Sequence, residues 1–185
     1  EVAAGAAIAG ARSFCGMKHV GLNVAADPLF TASYTGINAG MVIAVADDPG
    51  MHSSQNEQDS RHYAKASKTM MLEPSDSAEC LEFAKMALSL SEKFDTPVIL
   101  RLSTRVAHSR GLAEVGERVD NGLKEYKKDP MKYVMMPGMA IKKHVVVEQR
   151  VLDQTSWAET APINMVEMND TKIGVITAGI SYTYA

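Results

Sequence analysis

Short apolar runs alternate along this chain with stretches of helical periodicity. The apolar runs are bounded by turn residues and predict buried strands over 14–17, 41–46, 69–72 and 97–102. Apolar residues at helical spacing predict helices over 1–12, 24–35, 60–67, 76–93 and 138–158. Strands and helices that alternate with short connections predict a doubly wound α/β fold, in which a mostly parallel sheet carries helices on both faces.

The chain is expected to be an internal piece of a longer polypeptide, truncated at both ends. It starts without an initiator methionine inside one amphipathic pattern and stops inside another. Residues 1–160 are assigned to the α/β domain, with a surface excursion over 114–137, and residues 161–171 to a linker. Residues 172–185 are assigned to the start of a following α/β domain, because the run 172–179 predicts a strand that turns into a helix.

One polar stretch stands out as a candidate site. The apolar run 41–46 breaks at Asp47-Asp48-Pro49-Gly50 and continues as ten polar residues that end at Arg61. In open α/β sheets, ligands bind beyond the carboxyl ends of the strands, which is where this stretch is expected to lie. The simpler interpretation is a solvated loop.

Two further polar stretches follow predicted strands. Lys18, His19, Gly21 and Asn23 come after the strand 14–17, and Asn23 can cap the helix that follows. A single histidine in such a place is more often structural than catalytic. The stretch 103–111 contains two arginines and a histidine, which suit a carboxylate or phosphate ligand and equally suit a salt-bridged interface.

Composition excludes several classes of protein. A formal net charge of -3, with 46% apolar and 22% charged residues, gives no reason to expect a nucleic acid or membrane partner. Cys15 and Cys80 lie far apart without metal-ligand spacing, which is typical of free thiols in a reducing cytoplasm. The sequence has no P-loop, dinucleotide fingerprint, cysteine cluster or GxSxG elbow. These grounds alone lead only to a cytoplasmic α/β domain with polar loops at one edge of its sheet.

Three segments add a resemblance to a known family. MKHVGLNVAADPLFTASYTG, VADDPGMHSSQNEQDSRHYAK and KFDTPVILRLSTRVAHSRG resemble the alpha subunits of indolepyruvate ferredoxin oxidoreductases, which are thiamine diphosphate-dependent 2-oxoacid ferredoxin oxidoreductases. The closing KIGVITAGISYTYA is similar to the start of the next domain in that family. The resemblance covers nearly the whole chain and implies a pyrimidine-binding domain.

The resemblance also implies a reaction. Such enzymes oxidatively decarboxylate aryl 2-oxoacids such as indolepyruvate on thiamine diphosphate with Mg²⁺. Electrons pass through iron–sulfur clusters to ferredoxin, and coenzyme A accepts the acyl group. The implied partners are a beta subunit, ferredoxin and further copies in an oligomer. The diphosphate-binding motif and the cysteine-rich region are absent from this sequence, so the chain by itself is expected to be inactive.

The resemblance finally implies roles for residues. The family's catalytic glutamate is expected about two turns before the VAAGAA helix; Glu1 is too close to that helix, which places the glutamate upstream. The implied catalytic residues are His52 and His19. The residues implied to bind the cofactor are Lys18, Gly21, Asn23 and Gln55. The residues implied to contact the substrate or an interface are Asp48, Asn56, Glu57, Asp59, Arg61, Arg105 and His108. No metal ligand is implied.

Two alternatives remain open. The chain could be a non-catalytic α/β binding or assembly module whose polar loops only dock a partner. It could also belong to a 2-oxoacid ferredoxin oxidoreductase that acts on a different substrate.

Overall fold

A four-stranded parallel sheet organises the chain. The computed structural model describes residues 1–170 and 172–185. The strands are β1 (Ser13–Lys18), β2 (Met41–Ala46), β3 (Met70–Leu72) and β4 (Val98–Leu102). Their order across the sheet is β1-β2-β4-β3, and all three pairings are parallel. The predicted fold class and all four predicted strands of the domain are therefore confirmed.

Helices flank the sheet on both faces. They are α1 (Val2–Ile8), α2 (His19–Val24), α3 (Ala26–Thr35), α4 (Arg61–Ser67), α5 (Ser77–Phe94), α6 (Thr104–His108), α7 (Pro130–Tyr133) and α8 (Pro137–Thr160). A short 3₁₀-helix follows at Gly179–Tyr184. Among these helices, none is both long enough and apolar enough to cross a lipid bilayer.

The sheet separates two hydrophobic cores. On one face, Ile43, Val45 and Ile99 pack with apolar residues of α1 to α4. On the other face, side chains of β2, β3 and β4 pack with Phe83 and Leu90 of α5. Because successive strand residues point to opposite faces, a strand buried on both sides must be apolar throughout. This is why β2 could be recognised as a continuous apolar run.

Helix α5 begins at a side-chain cap. The Asp76 side chain accepts a hydrogen bond from the Glu79 backbone N–H at 2.9 Å. The Glu79 carboxylate in turn accepts bonds from the backbone N–H and hydroxyl of Ser75, at 2.7 and 2.8 Å. The first of these bonds satisfies an amide group that the first helical turn leaves without a partner, and the other two fix the residue before the cap.

Three local predictions were wrong. The stretch 18–23 is not a loop, because α2 starts directly after β1; Leu22 and His19 lie one turn apart and are both buried. Asn23 lies inside α2 and does not cap α3, which starts after a break at Ala25. The polar stretch after β4 is likewise helical at first, as α6.

A fourth wrong prediction is the strand at 172–179. Within the described part of this segment no strand forms, and Val175 and Ile176 are exposed. A strand needs a neighbouring strand to satisfy its backbone hydrogen bonds, and among the described residues none of the four strands pairs with this segment.

Residues 109–129, which we call the strap, form most of the surface excursion predicted over 114–137, whose last part contains helix α7. The strap leads from the end of α6 to the opposite, amino edge of the sheet. There the Lys124 backbone N–H donates to the Gly10 carbonyl at 2.9 Å. The Lys124 ammonium also donates to the Asn38 carbonyl at 3.2 Å and pairs with Glu92 at 3.1 Å.

Candidate functional site

The carboxyl edge of the sheet gathers the predicted polar segments. Lys18 ends β1, Asp47 and Asp48 follow β2, and Thr104 follows β4. The loop after β2, residues 47–60, crosses this edge before α4 begins. The parallel order of the strands therefore brings together groups that are far apart in the sequence.

Asp48 organises the first half of the loop. Its carboxylate accepts hydrogen bonds from the Ser54 hydroxyl at 2.6 Å and the Thr104 hydroxyl at 2.7 Å. It also accepts from the backbone N–H groups of Ser53 at 2.8 Å and His52 at 3.2 Å. These bonds, led by the one from Ser54, hold the pKa of Asp48 well below its usual range. Asp48 is buried, so its role in this chain is to shape the loop.

Lys18 ties the end of β1 to the same loop. Its ammonium group donates to the Ser53 carbonyl at 2.7 Å and to the Ser53 hydroxyl at 3.0 Å. It lies 3.7 Å from the Asp48 carboxylate, which offsets part of its charge. Lys18 thus lies at the edge as predicted, already engaged by the chain itself.

Asp47 anchors the second half of the loop through Arg101. The buried Asp47 carboxylate accepts from the Ser60 backbone N–H at 3.0 Å and from Arg101 Nε at 2.7 Å. Arg101 also forms a salt bridge with Glu73 and lies 3.7 Å from Asp59. One guanidinium therefore joins segments that follow β2 and β3 to strand β4.

A second pair closes the loop at the start of α4. The Asp59 carboxylate accepts from Arg61 Nη2 at 2.7 Å and from Arg61 Nε at 2.9 Å. This side-chain bond is the main reason that the pKa of Asp59 falls to about 2. Asp59 and Arg61, which the resemblance assigns to the substrate or an interface, therefore pair with each other within this domain.

The tip of the loop, residues 51–57, is the part left open. His52, Gln55, Asn56 and Glu57 are all exposed. The tip is nevertheless held in shape, since the Gly50 backbone N–H donates to the Glu57 carboxylate at 2.8 Å. The predicted residues of the tip are thus available to a ligand or a partner.

The predicted site residues of α2 lie in three different environments. His19 is 1% exposed, and within the described residues neither ring nitrogen has a hydrogen-bond partner. A Cβ on Gly21 would lie 3.0 Å from the Met17 Cβ, so Gly21 allows α2 to pack closely on β1. Asn23 is exposed and its side-chain oxygen accepts from the Tyr63 hydroxyl at 2.5 Å.

Arg105 and His108 are exposed on α6, at the carboxyl end of β4. The guanidinium of Arg105 lies 5.7 Å from the centre of the Tyr184 ring. This geometry leaves both predicted roles open, a ligand contact and an interface contact.

Comparison with known proteins identifies the family. The family model described as pyruvate flavodoxin/ferredoxin oxidoreductase, thiamine diphosphate-binding, matches residues 1–173. The chain belongs to this family. A subunit named indolepyruvate oxidoreductase subunit IorA from Methanothermobacter thermautotrophicus is 46% identical over 187 aligned residues. Subunits of the same name from Archaeoglobus fulgidus and Thermococcus kodakarensis are 42% and 44% identical.

These comparisons also show how much of such a subunit is present. In all three cases the alignment covers 100% of this chain and 30% of the relative. The chain therefore spans about a third of the length of the curated relatives that it matches. All three relatives are named as subunits.

The carboxyl edge fits one half of thiamine diphosphate better than the other. The charged groups of the loop and its anchors are Asp47, Asp48, Glu57, Asp59 and Glu73 against Lys18, Arg61 and Arg101, and Arg105 on α6 adds one more cation at this edge. Such an edge offers a diphosphate no excess of positive charge but accepts a neutral aminopyrimidine, for which exposed amide and imidazole groups are suitable partners. The chain therefore suits the pyrimidine-facing wall of this family's site.

One cavity of the structure lies away from this edge. That cavity, of about 390 Å³, is lined by Asn38, Lys132 and Tyr133 near the amino edge. Among the described residues, no group of three or more histidine, cysteine or acidic side chains is placed to hold a metal ion.

Helix α1 directs Glu1 toward the same carboxyl edge. The end of α1 lies at the amino edge, where the Ala39 backbone N–H donates to the Ala7 carbonyl and the Ser13 backbone N–H donates to the Gly40 carbonyl, both at 2.9 Å. The helix packs against β1 and β2, so its first residue points the other way. Glu1 is exposed there.

Proposed function

We propose that this chain is the pyrimidine-facing wall of the active site in the alpha subunit of an indolepyruvate ferredoxin oxidoreductase. The intact enzyme oxidatively decarboxylates indolepyruvate and related aryl 2-oxoacids, passes electrons to ferredoxin and transfers the acyl group to coenzyme A. The observation that carries the proposal is the exposed polar tip, held by two buried aspartates at the carboxyl edge of a thiamine diphosphate-binding family domain. The names of the three relatives support the choice of substrate.

Each polar group of the edge has a defined task. Thiamine diphosphate supplies the electron sink for decarboxylation. His52 holds or moves a proton at an exposed ring nitrogen, or orients the substrate carboxylate. The side-chain amides of Gln55 and Asn23 orient the neutral pyrimidine ring, and Lys18 fixes the loop on which His52 stands. Arg105 and His108 are candidates for contacts with the substrate or coenzyme A.

The remaining parts of the reaction belong to parts of the enzyme beyond residues 1–185. These parts are the Mg²⁺ and diphosphate site, the iron–sulfur clusters, the beta subunit and the contact with ferredoxin. The chain by itself is therefore inactive in this proposal. A cytoplasmic location is also part of the proposal, and the two free cysteines support it.

The catalytic glutamate has two candidates. The family pattern places it upstream of Glu1, whereas the direction of α1 favours Glu1 itself, because Glu1 is exposed at the end of α1 that lies toward the site edge. Replacing each glutamate by glutamine in the full-length protein distinguishes them. The correct substitution abolishes turnover while thiamine diphosphate still binds, and the other leaves turnover nearly unchanged.

The decisive experiment compares histidine variants of the full-length enzyme. His52→Ala is expected to lower kcat at least a hundredfold with indolepyruvate, because proton transfer by a positioned side chain contributes factors of about 10² to 10⁴. His62→Ala, at an exposed site on α4, is the matched control and keeps normal turnover. Normal turnover in His52→Ala would remove His52 from the mechanism.

His19 is tested in the same way but with a different readout. Because its ring is buried, His19→Ala is expected to lower the melting temperature. A loss of turnover in that variant alone therefore does not show that His19 acts in catalysis. The catalytic role predicts that His19→Gln retains stability and loses more than tenfold in kcat. A variant with normal kcat would assign His19 to structure.

Substrate choice and the non-catalytic alternative are separated by two measurements. The full-length protein is expected to bind thiamine diphosphate with Mg²⁺ and to reduce ferredoxin faster with indolepyruvate than with pyruvate. A preference for pyruvate would favour the alternative that the chain belongs to a 2-oxoacid ferredoxin oxidoreductase that acts on a different substrate. Failure to bind the cofactor would favour the assembly module.

We also infer that residues 172–185 open a following α/β domain. The support is the exposure of Val175 and Ile176, which are 65% and 103% exposed, and the end of the family match at residue 173. In the full-length protein the amides of 174–177 are expected to resist hydrogen exchange, and in the chain 1–185 to exchange freely. Free exchange in both would contradict this assignment.

A further inference from the structure

Helix α8 presents an apolar stripe away from its own domain. One side of the helix packs inward through Val147, and Arg150 on that side donates from Nη1 to the Ser33 carbonyl of α3 at 2.5 Å. Ile141, Val145 and Leu152 form the opposite side, which we call the outer stripe, and are 73%, 69% and 60% exposed. Spacings of four and seven residues place these three side chains on one face of a helix.

The charges on α8 run in the direction that a solitary helix disfavours. Lys142 and Lys143 lie in its first half, whereas Asp153 and Glu159 lie in its last half. Of the other charged residues, Glu148 near the middle pairs with Lys68 and His144, and Arg150 is buried on the inner side. The first turn has no acidic residue and the last turn has no basic residue. Since a helix dipole favours anions at the start and cations at the end, this order lacks its usual stabilisation.

An antiparallel neighbouring helix supplies what α8 lacks. It places the acidic half of one helix beside the basic half of the other, and it opposes the two dipoles. It also covers an apolar stripe with another apolar stripe. A helix with this charge order is its own complement when it is turned end over end, which is the condition for a two-fold interface.

We propose that α8 packs against α8 of a second copy of this chain, antiparallel and about a two-fold axis. Val145 of one copy then faces Leu152 of the other, and the reverse contact is identical. Lys142 lies on the flank of the stripe, about one turn from the Asp153 of the second copy. The proposal names one contact of the assembled enzyme and is independent of the reaction proposed above.

A competing occupant must be distinguished. The aligned relatives are about three times longer than this chain, so another part of the same polypeptide could cover the outer stripe. Such a segment would bury Val145, but it would place no residue of a second α8 near it.

The first experiment is crosslinking in the full-length enzyme. The photoreactive residue p-benzoylphenylalanine replaces Val145, and the enzyme is assembled from a mixture of ¹⁴N- and ¹⁵N-labelled subunits. We expect crosslinked peptides of mixed label that join residue 145 to residues 149–156. The same probe at the exposed position Lys85 of α5 is the control and gives no such peptide. Crosslinks confined to one label, or no crosslink to α8, would overturn the proposal.

The second experiment tests the charge pairing by reversal. Lys142→Glu and Asp153→Lys are each expected to lower the yield of the mixed-label crosslink severalfold, and the double variant is expected to restore it. These residues are eleven positions apart on one helix, about 16 Å along its axis, so they cannot pair within a single copy. A double variant that crosslinks no better than the weaker single variant would refute the antiparallel arrangement.

Discussion

Asp48 shows how one buried carboxylate can organise a functional loop. It gathers two hydroxyl and two backbone N–H donors from two segments, and Thr104 among them lies 56 residues away in the sequence. With these donors in place, the exposed tip has a defined shape without contributing apolar residues to the core. Its negative charge is required, because a protonated carboxyl group accepts fewer hydrogen bonds.

The stability that Asp48 contributes is expected to depend on pH. The pKa of Asp48 is lowered in the folded state, so the contribution is complete above the unfolded pKa of about 4 and is lost as the pH falls below it. Asp48→Asn should therefore lower the melting temperature clearly at pH 7 and progressively less below pH 4. Thermal unfolding of both proteins across this range measures the difference. Glu114→Gln in the exposed strap is the control, and a pH-independent effect of Asp48→Asn would contradict the prediction.

Arg101 is expected to be the most sensitive residue of the edge. Its side chain is 13% exposed, and its partner Asp47 is 0% exposed. Arg101→Met leaves that carboxylate buried without its cation, which costs about 3–5 kcal/mol in the free energy of unfolding. Urea denaturation of residues 1–185 measures this loss.

The matched control removes an exposed guanidinium from the same network. Arg61 is 57% exposed and pairs with Asp59, so Arg61→Met is expected to cost at most about 1 kcal/mol. Equal losses in the two variants would show that burial does not determine the effect.

At the residue scale the sequence predicted the polar loop but could not predict its partners. Arg101 and Glu73 were missed because each belongs to a strand or its end, and their meeting depends on β4 lying between β2 and β3. His19 was predicted at the edge because it follows a strand. His19 instead lies on the inner side of α2. The sequence did not predict that helix, because the stretch is short, polar and contains a glycine.

At the scale of elements, prediction succeeded where burial imposed a pattern on the sequence. Strands covered on both faces must be apolar, and α5 has both a cap signal and a periodic core face. The strand prediction failed at 172–179. A β-branched run indicates that a segment favours the conformation of a strand, but not whether a neighbouring strand is present to pair with it. The strap was recognised from the loss of periodicity, but its docking site could not be.

The strap docks at a glycine that no other residue can replace without movement. Gly10 has φ +104°, and a Cβ there would lie 1.9 Å from the Lys124 carbonyl oxygen. Gly10→Ala is therefore expected to release the strap and to raise the rate of trypsin cleavage at Lys124, Lys127 and Lys128 severalfold. Timed proteolysis followed by mass spectrometry measures this rate.

The control for that variant is another glycine of the same segment. Gly5 lies in the middle of α1, and a Cβ there would meet no atom of the described residues within 4 Å. Gly5→Ala should raise the free energy of unfolding by about 0.5–1 kcal/mol and leave cleavage of the strap unchanged. Equal cleavage in the two alanine variants would mean that Gly10 does not hold the strap.

At the scale of the whole molecule, the two edges of the sheet are specialised differently. The amino edge is closed by the strap and by the salt bridge between Arg12 and Glu92 at 2.9 Å. At the carboxyl edge, the hydrogen bonds and salt bridges of Asp47, Asp48 and Arg101 hold the loop, and the tip stays exposed. This arrangement is that of a rigid wall prepared to face a second surface.

The charge of that wall predicts how the chain 1–185 treats the cofactor by itself. Since the edge has no excess of cations and the chain has no diphosphate motif, we expect the diphosphate to weaken binding or leave it unchanged. Thiamine is therefore expected to bind at least as tightly as thiamine diphosphate, whether or not Mg²⁺ is present. The full-length protein, by contrast, is expected to prefer the diphosphate strongly when Mg²⁺ is present. Isothermal titration of both proteins with both ligands measures this reversal, with circular dichroism as the control for folding. A strong preference of residues 1–185 for thiamine diphosphate would show that this chain also holds the diphosphate, and would contradict its assignment to the pyrimidine side alone.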